Sequence, residues 1–446
     1  MKVIRFFCLI LTLAPTVHSV GQDSLSNAPT DSLSISQDSL PPAEVVRNTS
    51  DQTFVPYIKT VLLQTDKANH GQAILRANQP QIKLRLSFDD LRNDYTEYTY
   101  EFEYCDRNWV PEERNEHEFY QGTASKYIED VTYSSATKVG YAHYEVLFPP
   151  DLERFIWSGN YLLHVRESGS DSIVLTRRFV VVDPRITIKA EVKRTDDVRS
   201  QNYMQQIVFE LFDNQNRIED VSALDIVITK NRSWDIYCRD YKPSFVNDNQ
   251  ISYLYTDHCY FEGGNEYRDF NMIEFKNISN NIIKVDITNR MKYHMWLDTD
   301  KPRSFLKYST AEDINGRIKY TGDSRSFEPT KLDYATIHFT LDTEDPMLQN
   351  EIYLFGEMTS FQIDTAFRMN YNPSNGLYER SALLKQGYYN YQYVVKSPYQ
   401  TNMDESLIEG SHYETSNDYS IYVYYHSRLE NRDMLIGIER ISSGGQ

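Results

Sequence analysis

The sequence predicts an all-β fold: a tandem array of three immunoglobulin-like or early-set β-sandwiches behind a signal peptide and a disordered linker. Three observations carry this reading. Stretches such as "IKLRLSFDDL" and "EYTYEFEYC" alternate apolar and polar residues strictly, the period of a half-buried strand. Tyrosine, with 35 residues, replaces Leu and Val as the bulky side chain, and Tyr and Phe favour pleated surfaces. Apolar repeats at helical spacing are hard to find anywhere in the 446 residues.

The elements follow in order. Residues 1–21 read as a secretory leader: Lys2 and Arg5 precede the apolar run Phe6–Leu13, and Ser19-Val20-Gly21 supplies small residues for cleavage before Gln22. Cys8 sits behind Phe inside the apolar run, a poor lipobox, so the expectation is a soluble exported protein. Residues 22–53 are rich in Ser, Asp and Pro and hold few large apolar groups, so they read as a disordered linker. The first sandwich spans 54–184. Ile82, Leu84, Leu86 and Phe88 share one face of a strand, as do Tyr98, Tyr100, Phe102 and Tyr104 of the next. "HYEVLFP", "GNYLLHVRE" and "LTRRFVVVD" complete it. The second spans 185–330, from "RITIKAEV" through "QQIVFELF", "DIVIT", "NIIKVDI" and "YHMWLD". Near its end Asn315-Gly316 signals a tight hairpin turn. The third spans 331–430, with "DYATIHFTL", "EIYLFGEM", "YYNYQYVV" and "YSIYVYYHS", and 431–446 reads as a tail.

Charge narrows the partners. The formal net charge is −18, and loss of the two leader bases takes it to −20. Such a surface repels nucleic acid and anionic lipid, and no basic stretch offsets it. No apolar run after the N-terminus reaches the length of a membrane span, so direct insertion is not expected. Beyond the leader lie Cys105, Cys238 and Cys259; the last two share one region and could pair, or all three could be buried thiols. No Cys/His ligand spacing, nucleophile elbow, phosphate loop or dinucleotide fingerprint occurs. "HEFYQ" begins like a zinc-protease helix but lacks the second His. No enzyme and no cofactor are expected.

Several phrases together point further. "YEFEYCDRNW", "SGNYLLHV", "FEGGNEYRDF", "DINGRIKY", "KQGYYNYQYV" and "EGSHYETSNDYSIYVYY" resemble, in this order, the type IX secretion system plug protein family of Bacteroidota, from Phe54 to Arg428. The resemblance implies a periplasmic protein at the inner face of the outer membrane. It would bind the translocon barrel of that system, closing its periplasmic mouth while no carrier-bound substrate engages it, without catalysis. The carboxy-terminal unit is also similar to early-set sandwiches that include glycogen-binding modules, so a periplasmic carbohydrate-binding or glycan-processing protein is the alternative. Two departures from the family pattern, Phe270-Asn271 for Phe-Asp and Arg432-Asp433 for Tyr-Asp, touch local packing only. The phylum's O-glycosylation at Asp-Ser/Thr-apolar sites implies modification of Ser24, Ser32 and Ser39, each within "DSL".

The dense tyrosines of 419–426 divide by alternation. Tyr419, Ile421, Val423 and Tyr425 form a core face; Tyr422, Tyr424 and His426 fall on the other and are candidate contacts for a partner protein. Sugar is the weaker occupant, because Trp109, Trp157, Trp234 and Trp296 all precede the third unit and Phe361 stands where a starch-binding relative would want Trp. Trp109 and Trp157 read as core anchors of the first sandwich. Arg268, behind two glycines, reads as a buried paired Arg that orients a loop, and Gly159 as a turn before a strand.

Overall fold

Strands form where alternation places them, and the computed structural model shows how they pair. It describes residues 49–444 apart from 67–70, 124, 171, 216–217, 256–258, 276–277, 279–280, 323–327 and 400–401. The leader, nearly all of the linker, and Ser24, Ser32 and Ser39 lie outside the described residues.

The fold is all-β, with several sheets enclosing three large hydrophobic cores. In the first, Gln52–Thr53, Ile173–Val182, Gly159–Glu167, Tyr98–Cys105 and Lys126–Tyr127 form one sheet in that order. Facing it are Ile58–Thr65, Leu84–Asp90, Ala142–Phe148 and Asp130–Tyr133. Leu84, Leu86, Phe88, Tyr98, Tyr100, Phe102 and Tyr104 all point into the core between them. Tyr can replace Leu there where its buried hydroxyl finds an acceptor: Tyr98 donates to Asp90 (2.8 Å) and Tyr161 to the Trp157 carbonyl (2.9 Å).

The second core departs from the expected boundaries. Thr187–Arg194, Met204–Phe212, Gln250–Tyr253 and Phe245–Val246 form one sheet. The facing sheet runs Ser233–Cys238, Leu224–Lys230, Asp418–Ser427, Arg432–Ser442. The tyrosine-rich strand thus belongs to the second sandwich, not the third. The expected tail is an eleven-residue strand that pairs with it along its whole length. Ile188, Ile207, Phe209, Ile228, Tyr419, Ile421, Val423 and Ile436 share this core.

The third core is inserted into the second. Arg268–Asn271, Gly387–Lys396 and Ile318–Tyr320, with Glu351–Phe355, face a sheet of Ile282–Asp286, Tyr293–Leu297, Tyr334–Leu341, Leu377–Lys385 and Asn370–Asn372. "NIIKVDI" and "YHMWLD", expected in the second unit, are therefore strands of the third. The expected division at 330/331 instead cuts through one core: Met295 and Leu297 pack with Ile337 and Phe339. The insertion leaves and returns through two adjacent stems. The His412 amide donates to the Gly264 carbonyl (2.9 Å) and Asn265 Nδ2 to the Glu409 carbonyl (2.9 Å). A Cβ on Gly263 would stand 1.9 Å from the His412 carbonyl oxygen, so only glycine admits this approach. Asn315-Gly316 does take positive φ (52° and 76°), but its turn follows irregular chain rather than a first hairpin strand.

Cys238 and Cys259 are joined by a disulfide, 21 residues apart, and Cys105 is a buried free thiol. Replacing both paired cysteines by Ser is expected to cost about 2–4 kcal/mol, the loop-closure scale for this separation. Urea unfolding of the variant and of the reduced parent checks this; both midpoints should fall together.

Candidate docking surfaces and the junctions that orient them

The tyrosines singled out for contact do make contact, but within the chain. Tyr422 and Tyr424 are buried, in a cluster with Cys105, Trp109, Leu162, Val180, Val182, Val227 and Leu435 between the first and second sandwiches. Tyr424 donates to Asn160 Oδ1 (2.8 Å), and Asn160 Nδ2 donates to the Asp106 carbonyl (3.0 Å). Neither tyrosine is a free docking surface; each outward face is covered by the neighbouring sandwich. Only His426 of the three is substantially exposed, and it faces Asp433 at 2.9 Å.

The aromatic anchors converge on the same seam. Trp109 meets Trp234 edge-on (4.8 Å between centroids), and Trp234 lies 4.8 Å from Tyr422. Trp109 is thus a seam residue rather than a member of the first core. Trp157 packs at the rim of that core, edge-on to Tyr104 (5.5 Å), with the Arg432 guanidinium 4.8 Å above its ring. Gly159 opens its strand at φ 145°, and a Cβ there would press to 2.9 Å from the Tyr104 ring.

A buried charge cluster joins the first sandwich to the third. Asp89, 0% exposed, accepts from Lys385 Nζ (2.6 Å), from the Tyr334 hydroxyl (2.6 Å) and sits 2.6 Å from His143 Nδ1. Burial alone would raise the Asp89 carboxyl, but Lys385 and His143 hold it below its ordinary value. Beside it the loop 134–141 grips the third sandwich: the Lys138 and Val139 amides donate to Asp333 (2.5 and 3.1 Å), and the Tyr141 hydroxyl to the Leu332 carbonyl (2.7 Å).

The second sandwich meets the third through Lys230, buried against Glu405 (2.9 Å), and through Phe361. Phe361 is buried with Phe355, Val394 and Ile236, and its carbonyl accepts from Ser233 Oγ (2.7 Å). Arg268 is a paired Arg of intermediate burial. Its Nε donates to Glu409 (2.9 Å), Nη1 to Asp300 (2.7 Å) and Nη2 to the Lys301 carbonyl (2.7 Å). Glu409 also takes Arg303 (2.7 Å) and the Tyr393 amide (3.0 Å). This cluster fixes the otherwise irregular stretch 299–314.

Trp296 bears on the glycan alternative. It lies in the third sandwich, on the outer face of Tyr293–Leu297, so that unit does hold a tryptophan. Both its faces are taken: Lys284 Nζ stands 4.2 Å from its centroid, and His338 stacks at 4.6 Å and 8°. A sugar would need an open ring face, and none is free here.

Large apolar side chains stay exposed elsewhere. Phe245, Val246 and Tyr255 mark one edge of the second sandwich, and Phe305, Leu306 and Leu407 a turn of the third. Sequence reasoning missed the turn because "SFL" has no strand alternation. The available signal was its setting: apolar residues in a Pro- and Ser-containing break between bases, "KPRSFLK". Among the described residues no group of three or more His, Cys, Asp or Glu is placed to hold a metal, and no helix is long and apolar enough to cross a membrane.

Residues 58–183 match the family model described as "Type 9 secretion system plug protein 1st domain". A crystal structure of a hypothetical protein from Parabacteroides merdae is similar at 30% identity, covering 88% of this chain and 99% of that one, with a TM-score of 0.84. Dimeric latent PorU from Porphyromonas gingivalis aligns at 12% identity over 87% of this chain and 34% of that one; its TM-score of 0.14 carries no argument. No curated protein matches the chain.

Proposed function

From the premise that the chain belongs to the type 9 secretion system plug protein family, we propose that it is a non-enzymatic plug. It docks on the periplasmic rim of the outer-membrane translocon barrel and occludes the pore until a carrier-bound substrate engages. The observation that carries this reading is the locking of the three sandwiches to one another by buried polar contacts. Asp89–Lys385, Tyr424–Asn160 and Lys230–Glu405 each tie a different pair. Steric closure needs a block whose parts keep their relative places, and breaking such buried contacts is costly. The acidic surface fits a protein that works beside anionic lipid without entering it.

Added to the purified translocon barrel in planar bilayers, the full chain is expected to lower single-pore conductance in proportion to occupancy. Binding that leaves conductance unchanged would refute occlusion.

A further inference from the structure

We propose that the turn Arg303–Leu306 is a preformed docking tip, and that its occupant is a protein pocket with an apolar floor and a rim of carboxylates. The proposal rests on the plug reading, and it places that pocket on the translocon barrel.

The tip is apolar and held out from the body. Phe305 is 77% exposed, Leu306 50%, and Leu407 of the adjoining helical turn Ser406–Glu409 is 45% exposed. The Arg303 and Ser304 amides donate to the Ile408 carbonyl (2.6 and 3.2 Å), which sets the turn against that helix. The Leu306 amide closes the turn on the Arg303 carbonyl (2.9 Å).

It is also rigid at its root. Arg303 is clamped by Glu409 (2.7 Å) and donates to the Glu266 carbonyl (2.8 Å), while Glu409 is held in turn by Arg268. An anchor ordered before binding loses little conformational freedom on docking. Exposed apolar area presented this way is available for a partner pocket to remove from water.

Charge selects the occupant. Residues 301–307 hold three bases and no acid, in a chain whose acids outnumber its bases 64 to 46. Arg303 is spent internally, but among the described residues Lys301 and Lys307 have no ion-pair partner, and both are exposed. The exposed lysines flank Phe305 and Leu306, so the complement is apolar at its centre and acidic at its edge. A bilayer fits less well, because two lysines cannot offset the repulsion between a chain of net charge −18 and anionic headgroups.

The test is the affinity of the full chain for the purified translocon barrel in detergent. Four proteins are compared: the parent, Phe305→Ser with Leu306→Ser, Lys301→Glu with Lys307→Glu, and a control, Phe245→Ser with Tyr255→Ser. Both tip residues are exposed, so the thermal midpoint should not move. Weakening of about tenfold or more by each tip pair, with the control within about twofold of the parent, supports the proposal. The charge pair should also flatten the salt dependence of binding. A tip variant that binds as the parent does overturns it, as does equal weakening by the control. So does binding of the parent to phosphatidylglycerol vesicles that the tip pair abolishes, since the occupant would then be lipid. A parent that fails to bind the barrel at all sinks the plug reading underneath it, a result distinct from a tip variant that behaves as the parent.

Discussion

Lys385→Met should destabilise the chain by about 3–5 kcal/mol, because it removes one partner of a buried ion pair and leaves the Asp89 carboxylate with only His143 and the Tyr334 hydroxyl. Lys385 and Asp89 are 2% and 0% exposed at the side chain and lie 2.6 Å apart, so water cannot replace the lost ammonium. Their strands, Leu84–Asp90 and Leu377–Lys385, belong to different sandwiches, so the variant also loosens the junction between the first and third. The pH dependence identifies the cause. In the parent, the Asp89 carboxyl is held below its ordinary value of 3.8, so its contribution is present above that value and drains away as pH falls through the folded value. Without Lys385, burial is opposed only by His143 and the Tyr334 hydroxyl, and the folded value should rise above the unfolded one. The folded variant then binds the extra proton as pH falls, and its deficit should shrink between neutrality and about pH 4. Urea unfolding of parent and variant at several pH values measures this. A deficit that stays constant with pH would mean that lost packing, not the stranded carboxylate, accounts for the effect.

Glu409→Gln should cost a similar amount, about 3–5 kcal/mol, for the opposite reason. Here the anion is removed and two guanidiniums, Arg268 and Arg303, are left facing a neutral amide. Burial alone would raise the Glu409 carboxyl, but the two arginines and the Tyr393 amide hold it below its ordinary value, so the site is arranged around a charged group. Arg268 keeps Asp300, whereas Arg303 keeps only the Glu266 carbonyl. The damage should therefore concentrate in the turn that Arg303 roots. Hydrogen exchange is the deciding measurement: amides of 303–306 should lose protection out of proportion to those of Tyr98–Cys105 in the first core. Uniform loss across both regions would show that the cluster supports global stability without specially fixing the turn.

Much of the local structure was legible from residues alone. The pattern at Leu84, Leu86 and Phe88, and at Tyr98 to Tyr104, predicted both the strands and the faces they bury. The paired character of Arg268 was also readable, since an Arg beside two glycines in a folded stem has little use except to bind carboxylates. Tyr422 and Tyr424 show the limit. Alternation correctly put them on the face away from Tyr419 and Ile421, but it does not say what covers that face. The covering groups, Leu162 and Val180, stand more than 200 positions away in the chain. The same limit moved Trp296 into the third sandwich and made a strand of the expected tail, because strand partners are chosen across the insertion rather than in chain order.

Composition and local pattern set the all-β class, the position of most of the long strands, the acidic charge and the family resemblance. Each of these is written in a short window or in composition, where a period of two residues or a count of charges suffices. The pairing of distant segments made the third sandwich interrupt the second, sealed Tyr422 and Tyr424 in an internal seam, and left Phe305 and Leu306 uncovered. Those outcomes depend on which distant segments lie side by side, and burial of a side chain is a property of its neighbours in space, which a local pattern does not encode.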